Sequence, residues 1–303
     1  MPASVEPAEL RPHYAGSLLA LVPPSATFVV RVRPRILYAR PAFRAVSDPL
    51  VPPARLRSFE QRTGVDLTSV EEAIYARLGD DGFLVAARLE HAREVAVAAG
   101  MRMNSLQARA DAPFVRRLGY LGTELREVVA IGEDLLLVGA EAGPQIAEIL
   151  RSLSAGQVPV GALASGDGPR LAAFHARAPL HFYAPRPLGL PLDTGVGLLF
   201  ARERAACVAV DPDEQHLNIW ALVLGEFPPG GEVNLRQLIR SVASSDLGAA
   251  LGIDGALGSL EIKVSDDHTR LAFRWPSDTL ARGLRVLFVD ELEALLDEPV
   301  FAE

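Results

Sequence analysis

Residues 83–89, FLVAARL, return in kind as LNIWALV at residues 217–223, an interval of 134 positions, and other landmarks return at nearly the same interval. The acidic turn Glu133-Asp134 is matched by Asp266-Asp267 after 133 residues, and a helical run starting at Gln145 by one starting at Thr279 after 134. Upstream, residues 63–67, TGVDL, align with residues 194–198, TGVGL, after 131. Self-similarity at a fixed period restricts a chain to folds assembled from like units. The expectation is an α+β protein of two similar modules, residues 1–155 and 170–303, with mainly antiparallel sheets covered by helices, arising by internal duplication. The stretch 156–169, rich in Gly, Pro, Ser and Ala and without periodicity, reads as the linker between them.

Local patterns supply the elements. ATFVVRV (26–32) and FLVAARL read as strands, and GYLGTELREVVAI followed by DLLLVG as a strand and hairpin turning at Glu133. Helices are expected near 36–46 and 55–62, and over a run ending near Met101 with Val95, Ala98 and Ala99 on one face. Another, PQIAEILRSL, places Ile146, Ile149, Leu150 and Leu153 on one stripe. Thr68-Ser69-Val70-Glu71 has the form of a capping box and predicts a further helix over 69–77.

Hydrophobic residues make up 49% of the 303, enough for one large core or two ordinary ones. A net charge of −8 argues against nonspecific nucleic-acid binding, which needs a cationic surplus to replace phosphate counterions. Cys207, the single cysteine, excludes an intramolecular disulfide and any Cys-based zinc cluster, and its setting in ACVAV reads as a buried strand. No apolar run reaches the roughly 20 residues of a membrane span, and the N-terminal stretch has neither a basic leader nor a signal-peptide core. The chain as written therefore reads as cytoplasmic.

Asp193-Thr194-Gly195, preceded by apolar residues, is the tripeptide that carries the carboxylate of an aspartic protease. That chemistry needs two carboxylates about 3 Å apart sharing one proton. The position in the first half that matches Asp193 is Arg62, so no internal partner is supplied, and a polar turn or helix cap accounts for the tripeptide. The six histidines lack the spacing of a metal site, and neither a phosphate-binding glycine loop nor a GxSxG elbow occurs. No catalytic residue, metal ligand or cofactor is assigned.

Charge placement says more. Residues 1–62 hold nine arginines against four acids, whereas residues 289–303 hold six acids and no base. Period two puts Arg31 and Arg33 on one face of the first strand, and helical spacing puts Arg40 and Arg44 on one helix face. A solvated surface accounts for these four; the functional alternative is a site for an anionic ligand or a protein. On that alternative, reversing the charge of Arg31 and Arg33 alters binding more than melting temperature.

The succession LVPPSATFVVRV, RTGVDL, YLGTE and EDLLLVG resembles a group of uncharacterised bacterial proteins, many of them lipoproteins of the cell envelope with no established activity. The resemblance implies an envelope location for a chain preceded by a leader and a lipid-attachment cysteine. It carries over no functional residue. The reading is a non-enzymatic binding or interaction protein, with an acid hydrolase built on Asp193 and a structural envelope component as alternatives.

Overall fold

The structure, a computed structural model, describes residues 14–109, 114–121, 123–189, 195–227 and 230–284. A 3-10 turn at Leu18–Leu21 leads into β1 (Ala26–Val32), α1 (Pro34–Tyr38), α2 (Pro41–Leu50) and α3 (Pro53–Thr63). Then come β2 (Glu72–Leu78), β3 (Gly82–Arg88), α4 (Ala92–Arg102), β4 (Asn104–Arg109), β5 (Phe114–Leu121), β6 (Glu124–Ile131), β7 (Leu135–Ala140) and α5 (Gly143–Ser154). The second half runs α6 (Gly168–Ala173), β8 (Leu180–Ala184), α7 (Gly195–Leu199), β9 (Glu203–Pro212), β10 (His216–Gly225), α8 (Gly231–Ala243), α9 (Asp246–Leu251), α10 (Ile253–Leu257), β11 (Glu261–Val264) and β12 (His268–Pro276). Residues 277–284 are helical.

Among the described residues twelve strands form one antiparallel sheet in the order β11-β12-β10-β9-β8-β1-β2-β3-β7-β6-β5-β4. The two halves share this sheet because β1 pairs with β8, Val29 opposite Tyr183 and Val32 opposite Leu180. Read outward from that seam, β1-β2-β3-β7-β6 on one side has the same connectivity as β8-β9-β10-β12-β11 on the other.

Cross-strand partners share a face of a sheet, so the register sorts side chains into two sets. Val29, Ala76 and Leu84 lie on an inner face with Tyr183, Cys207 and Leu222. Val30, Tyr75, Val85 and Val138 lie on the outer face with Phe182, Val208 and Ala221. The inner face carries the main core, closed by the 3-10 turn, α5 and α6 through Leu18, Leu21, Ile146, Ile149 and Leu171. Each such aliphatic side chain, fully buried, contributes about 2 kcal/mol of transfer free energy.

Smaller clusters occupy the outer face. Ala92 and Ala96 of α4 pack on Ala87, Val128 and Leu136, and Ala42 of α2 packs with Leu280 on Val210 and Leu217. The helices that close the two halves thus lie on opposite faces: α5 covers the inner side of its half, whereas residues 277–284 cover the outer side of theirs.

Three local expectations are corrected. The helix expected over 69–77 is β2, in which Ile74, Ala76 and Leu78 point alternately into the core between β1 and β3. Thr68 does not cap a helix; its hydroxyl and its N–H both donate to Asp66 Oδ1, at 2.7 and 2.8 Å, in a side-chain-closed turn. The helix expected over 36–46 is broken into α1 and α2, since Pro41 has no N–H for an uninterrupted ladder and takes the first position of the second helix. In α4, Val95 and Ala99 face the core with Ala92 and Ala96, but Ala98 does not. The stretch 156–169 is packed along the 3-10 turn: Ala162 N–H donates to the Val22 carbonyl at 2.9 Å, and Leu163 is buried.

Candidate functional site

Polar chemistry concentrates on the inner face at the seam. Arg31 is buried, its Nε donating to Glu72 Oε1 at 2.5 Å and its Nη1 to the Ala176 carbonyl at 3.3 Å. Opposite it on β8 lies His181, with no solvent exposure, whose Nε2 reaches the carbonyls of Phe174 at 3.3 Å and His175 at 3.1 Å. Those partners make Nε2 the protonated nitrogen. Burial, and then the Arg31 charge, hold the His181 pKa down to about 4, so the ring is neutral at physiological pH. Its neighbour Tyr183 stacks parallel at 5.4 Å, and burial pushes that hydroxyl up to about 12. Cys207, one strand further, is buried and pushed up to about 12 by the same cause, so it is a core thiol and not a nucleophile.

These groups act on the loop 174–178. His181, Arg31 and Arg33 donate to four consecutive carbonyls, those of residues 174 to 177. His175 is held at a positive φ of 45°, a conformation uncommon outside glycine, and its ring lies 4.3 Å from that of Trp220 on β10 at an interplanar angle of 13°.

The four arginines singled out by the sequence fall into two pairs. Arg31 and Arg33 meet at this loop, whereas Arg40 and Arg44 border the outer face, Arg40 preceding α2 and Arg44 within it. Arg40 and Arg44 are exposed, and neither makes an ion pair among the described residues. Asp193 and Thr194, and the acidic run from 289 to 303, lie outside the described residues.

Between α2 and α4 the outer face is open. Phe28 and Tyr75 are 37% and 38% exposed, although both stand in strands at the middle of the sheet. Phe28 stacks on Phe182 at 6.2 Å and Tyr75 on Phe83 at 5.9 Å, and the Arg126 guanidinium lies 5.0 Å from the Phe83 ring centre. Phe28, Val30, Tyr75, Phe83 and Val85 belong to none of the packed clusters. Sequence reasoning missed this strip because strands that are apolar at consecutive positions, as in FLVAARL, read as covered on both faces. Elsewhere, a cavity of about 240 Å³ lined by Tyr14, Ile131, Leu153 and Gln157 has no charged side chain in its wall. Among the described residues no three His, Cys, Asp or Glu side chains converge as a metal site, and no helix is long and apolar enough to cross a membrane.

Comparison with protein-family models and with curated proteins finds no match. The fold does have counterparts among solved structures. Crystal form III of TP0453, a membrane-associated lipoprotein of Treponema pallidum, superposes with a TM-score of 0.56 at 7% identity, covering 90% of this chain and 100% of that one. Crystal form I gives 0.53 at 8% identity, covering 91% and 100%, and crystal form IV gives 0.51 at 9%, covering 87% and 94%. The sequence resemblance pointed to lipoprotein-like proteins, and the fold is similar to that of one lipoprotein. At such identities the likeness is one of fold alone.

Proposed function

We propose that this protein is a non-enzymatic interaction protein of the cell envelope, and that the open outer face between α2 and α4 is its contact surface. The observation that carries the reading is the aromatic strip Phe28, Tyr75, Phe83 and Phe182, left partly exposed in the centre of a sheet whose flanks are covered. Contiguous exposed apolar surface on a folded domain marks a binding site, because burying it on a partner recovers its hydration cost. Arg40 and Arg44, at the α2 border of the open face, select the partner's charge, whereas Arg126 is already paired with Glu124. The occupant that fits is an acidic amphipathic segment, apolar on the side facing the rings and anionic at its border.

This chain contains one such segment. Residues 286–303, VLFVDELEALLDEPVFAE, place Leu292, Leu295 and Leu296 at helical spacing among acids. The fold likeness to TP0453 supports the envelope setting. The common strand order of the two halves supports reading 1–155 and 170–303 as modules of one design joined by 156–169, with the closing helix moved to the other face.

Cysteines placed at Thr27, exposed beside Phe28, and at Glu293 test the contact in the full chain, since Cys207 is buried. A short bis-maleimide is expected to join them within one chain if the segment folds back, and between chains if it docks on a second copy. No cross-link of either kind would remove the outer face as the segment's site.

A further inference from the structure

A second surface, independent of the outer face, lies on the inner side of the sheet beyond the seam. Lys263 of β11 stands directly opposite Arg270 of β12, and Arg274 follows four residues along β12. All three are exposed, and among the described residues none of their side chains makes an ion pair or a hydrogen bond. Like charges directly opposite each other destabilise a strand pair. The chain has 38 acidic residues from which to supply a partner, and nearby cations have them: Arg170 meets Asp267 at 3.0 Å and Arg204 meets Asp167 at 2.9 Å. Glu261 shares the face of Lys263, opposite Ala272, and bonds to none of the three cations. Asp267 at the adjoining turn is engaged by Arg170 and His268.

The register also puts Trp220 opposite Ala272, so that Arg270 and Arg274 are its diagonal neighbours and a methyl group leaves the floor beside the indole open. His175, an exposed residue, stacks its ring on this indole, and the carbonyl contacts of His181 and Arg31 hold the loop in that position. Arg270 is near enough for its charge, after burial, to hold the His175 pKa below the ordinary imidazole value. A preformed aromatic platform therefore adjoins an unneutralised pair of cations.

We infer that this face binds a phosphate monoester, its dianionic group held between Lys263 and Arg270 and its organic part lying against the His175–Trp220 stack. Two adjacent cations match a dianion in charge, and the guanidinium fork matches phosphate oxygens in geometry. Arg274, about 13 Å along the strand at the usual rise, attracts a second anionic group of a longer ligand. The monoester is either a soluble compound or a lipid headgroup, and the two are separable by experiment.

Trp275, whose Nε1 donates to the Leu251 carbonyl on the other side of the sheet, is the second of the two tryptophans. In a Trp275→Phe background Trp220 is the sole tryptophan reporter. Phenyl phosphate is expected to change its fluorescence saturably and more tightly than inorganic phosphate, and to raise the pH at which His175 protonation quenches it. Lys263→Gln with Arg270→Gln is expected to weaken binding at least tenfold, whereas Arg236→Gln on α8 leaves it within twofold. Retention in the charge-preserving Arg270→Lys, and phosphorus-NMR broadening of phenyl phosphate by the unaltered protein, keep the test independent of a folding defect in the double variant. Co-sedimentation with phosphatidic acid vesicles but not phosphatidylcholine vesicles, lost in the double variant, assigns a lipid-borne monoester; binding of phenyl phosphate alone assigns a soluble one. If neither probe binds saturably, or if the double variant binds as well as the parent, the inference is wrong.

Discussion

Arg31 and Glu72 meet at 2.5 Å across β1 and β2, with side-chain exposures of only 10% and 16%. A charge buried this far depends on its partner, because removal of one member leaves the other without water or counter-charge. Glu72→Gln is expected to lower stability by about 3 kcal/mol, read as a smaller urea midpoint at an unchanged slope. The double change Arg31→Met with Glu72→Leu should lie closer to the parent than the single one does. A Glu72→Gln protein as stable as the parent would show that the pair is not needed. Arg31→Glu therefore tests folding first, and Arg33→Glu, half-exposed, is the cleaner probe of anion binding at this loop.

His181 makes stability depend on pH in a window set by its own titration. Its folded pKa of about 4 lies below the ordinary imidazole value, so on acidification the unfolded chain takes up the proton first. The contribution is complete above about pH 7 and falls away as the pH drops toward 4, by about 3 kcal/mol in all. His181→Gln keeps a donor for the 174–175 carbonyls without a titrating ring, and its melting temperature should change far less between pH 7 and 5 than the parent's. Parallel curves for the two proteins would rule out His181 as the source.

Two glycines separate close packing from backbone freedom. A Cβ added at Gly168 would lie 2.6 Å from the Leu163 backbone, where α6 starts against the 161–168 segment, whereas at Gly258 nothing lies within 4 Å. Gly168→Ala is expected to cost about 1–3 kcal/mol through overpacking. Gly258→Ala, at a φ of −61° that alanine adopts freely, should be neutral or gain about 0.5 kcal/mol by restricting the unfolded chain. Thermal melts of the two variants give the comparison, and equal losses would contradict it.

The open strip makes a prediction about dye binding and stability. Phe28→Ser with Tyr75→Ser removes apolar surface that is already partly exposed, so the change should reduce binding of a hydrophobic dye while costing little stability. A loss of several kcal/mol would mean that the rings are core residues in solution and that the outer face is closed.

The elements whose identity depends on their own side chains could be read from the chain alone. FLVAARL and LNIWALV are strands β3 and β10, and the Ile146–Ile149 stripe does bury α5, because a two-residue or 3.6-residue apolar period is a local property that burial then uses. Cys207 was legible as core for the same reason. What the tertiary structure decided is whatever depends on a neighbour far away in sequence. Thr68 and Glu71 have the local signature of a helix start, yet β1 and β3 on either side hold residues 72–78 as a strand, and ladder pairing with burial of Ile74, Ala76 and Leu78 outweighs one capping motif. The alternation of Arg31 with valines correctly separates two faces, but only the 174–178 loop, brought over β1 by its pairing with β8, determines that the arginine's face is the buried one. Lys263 and Arg270 are seven positions apart on strands whose charges look like ordinary solvated residues; the antiparallel register sets them side by side, and the register of Trp220 with Ala272 places the indole next to them. Periodicity records which way a side chain points, whereas the identity of what it faces is fixed by long-range pairing, whose entropy cost only the assembled sheet repays.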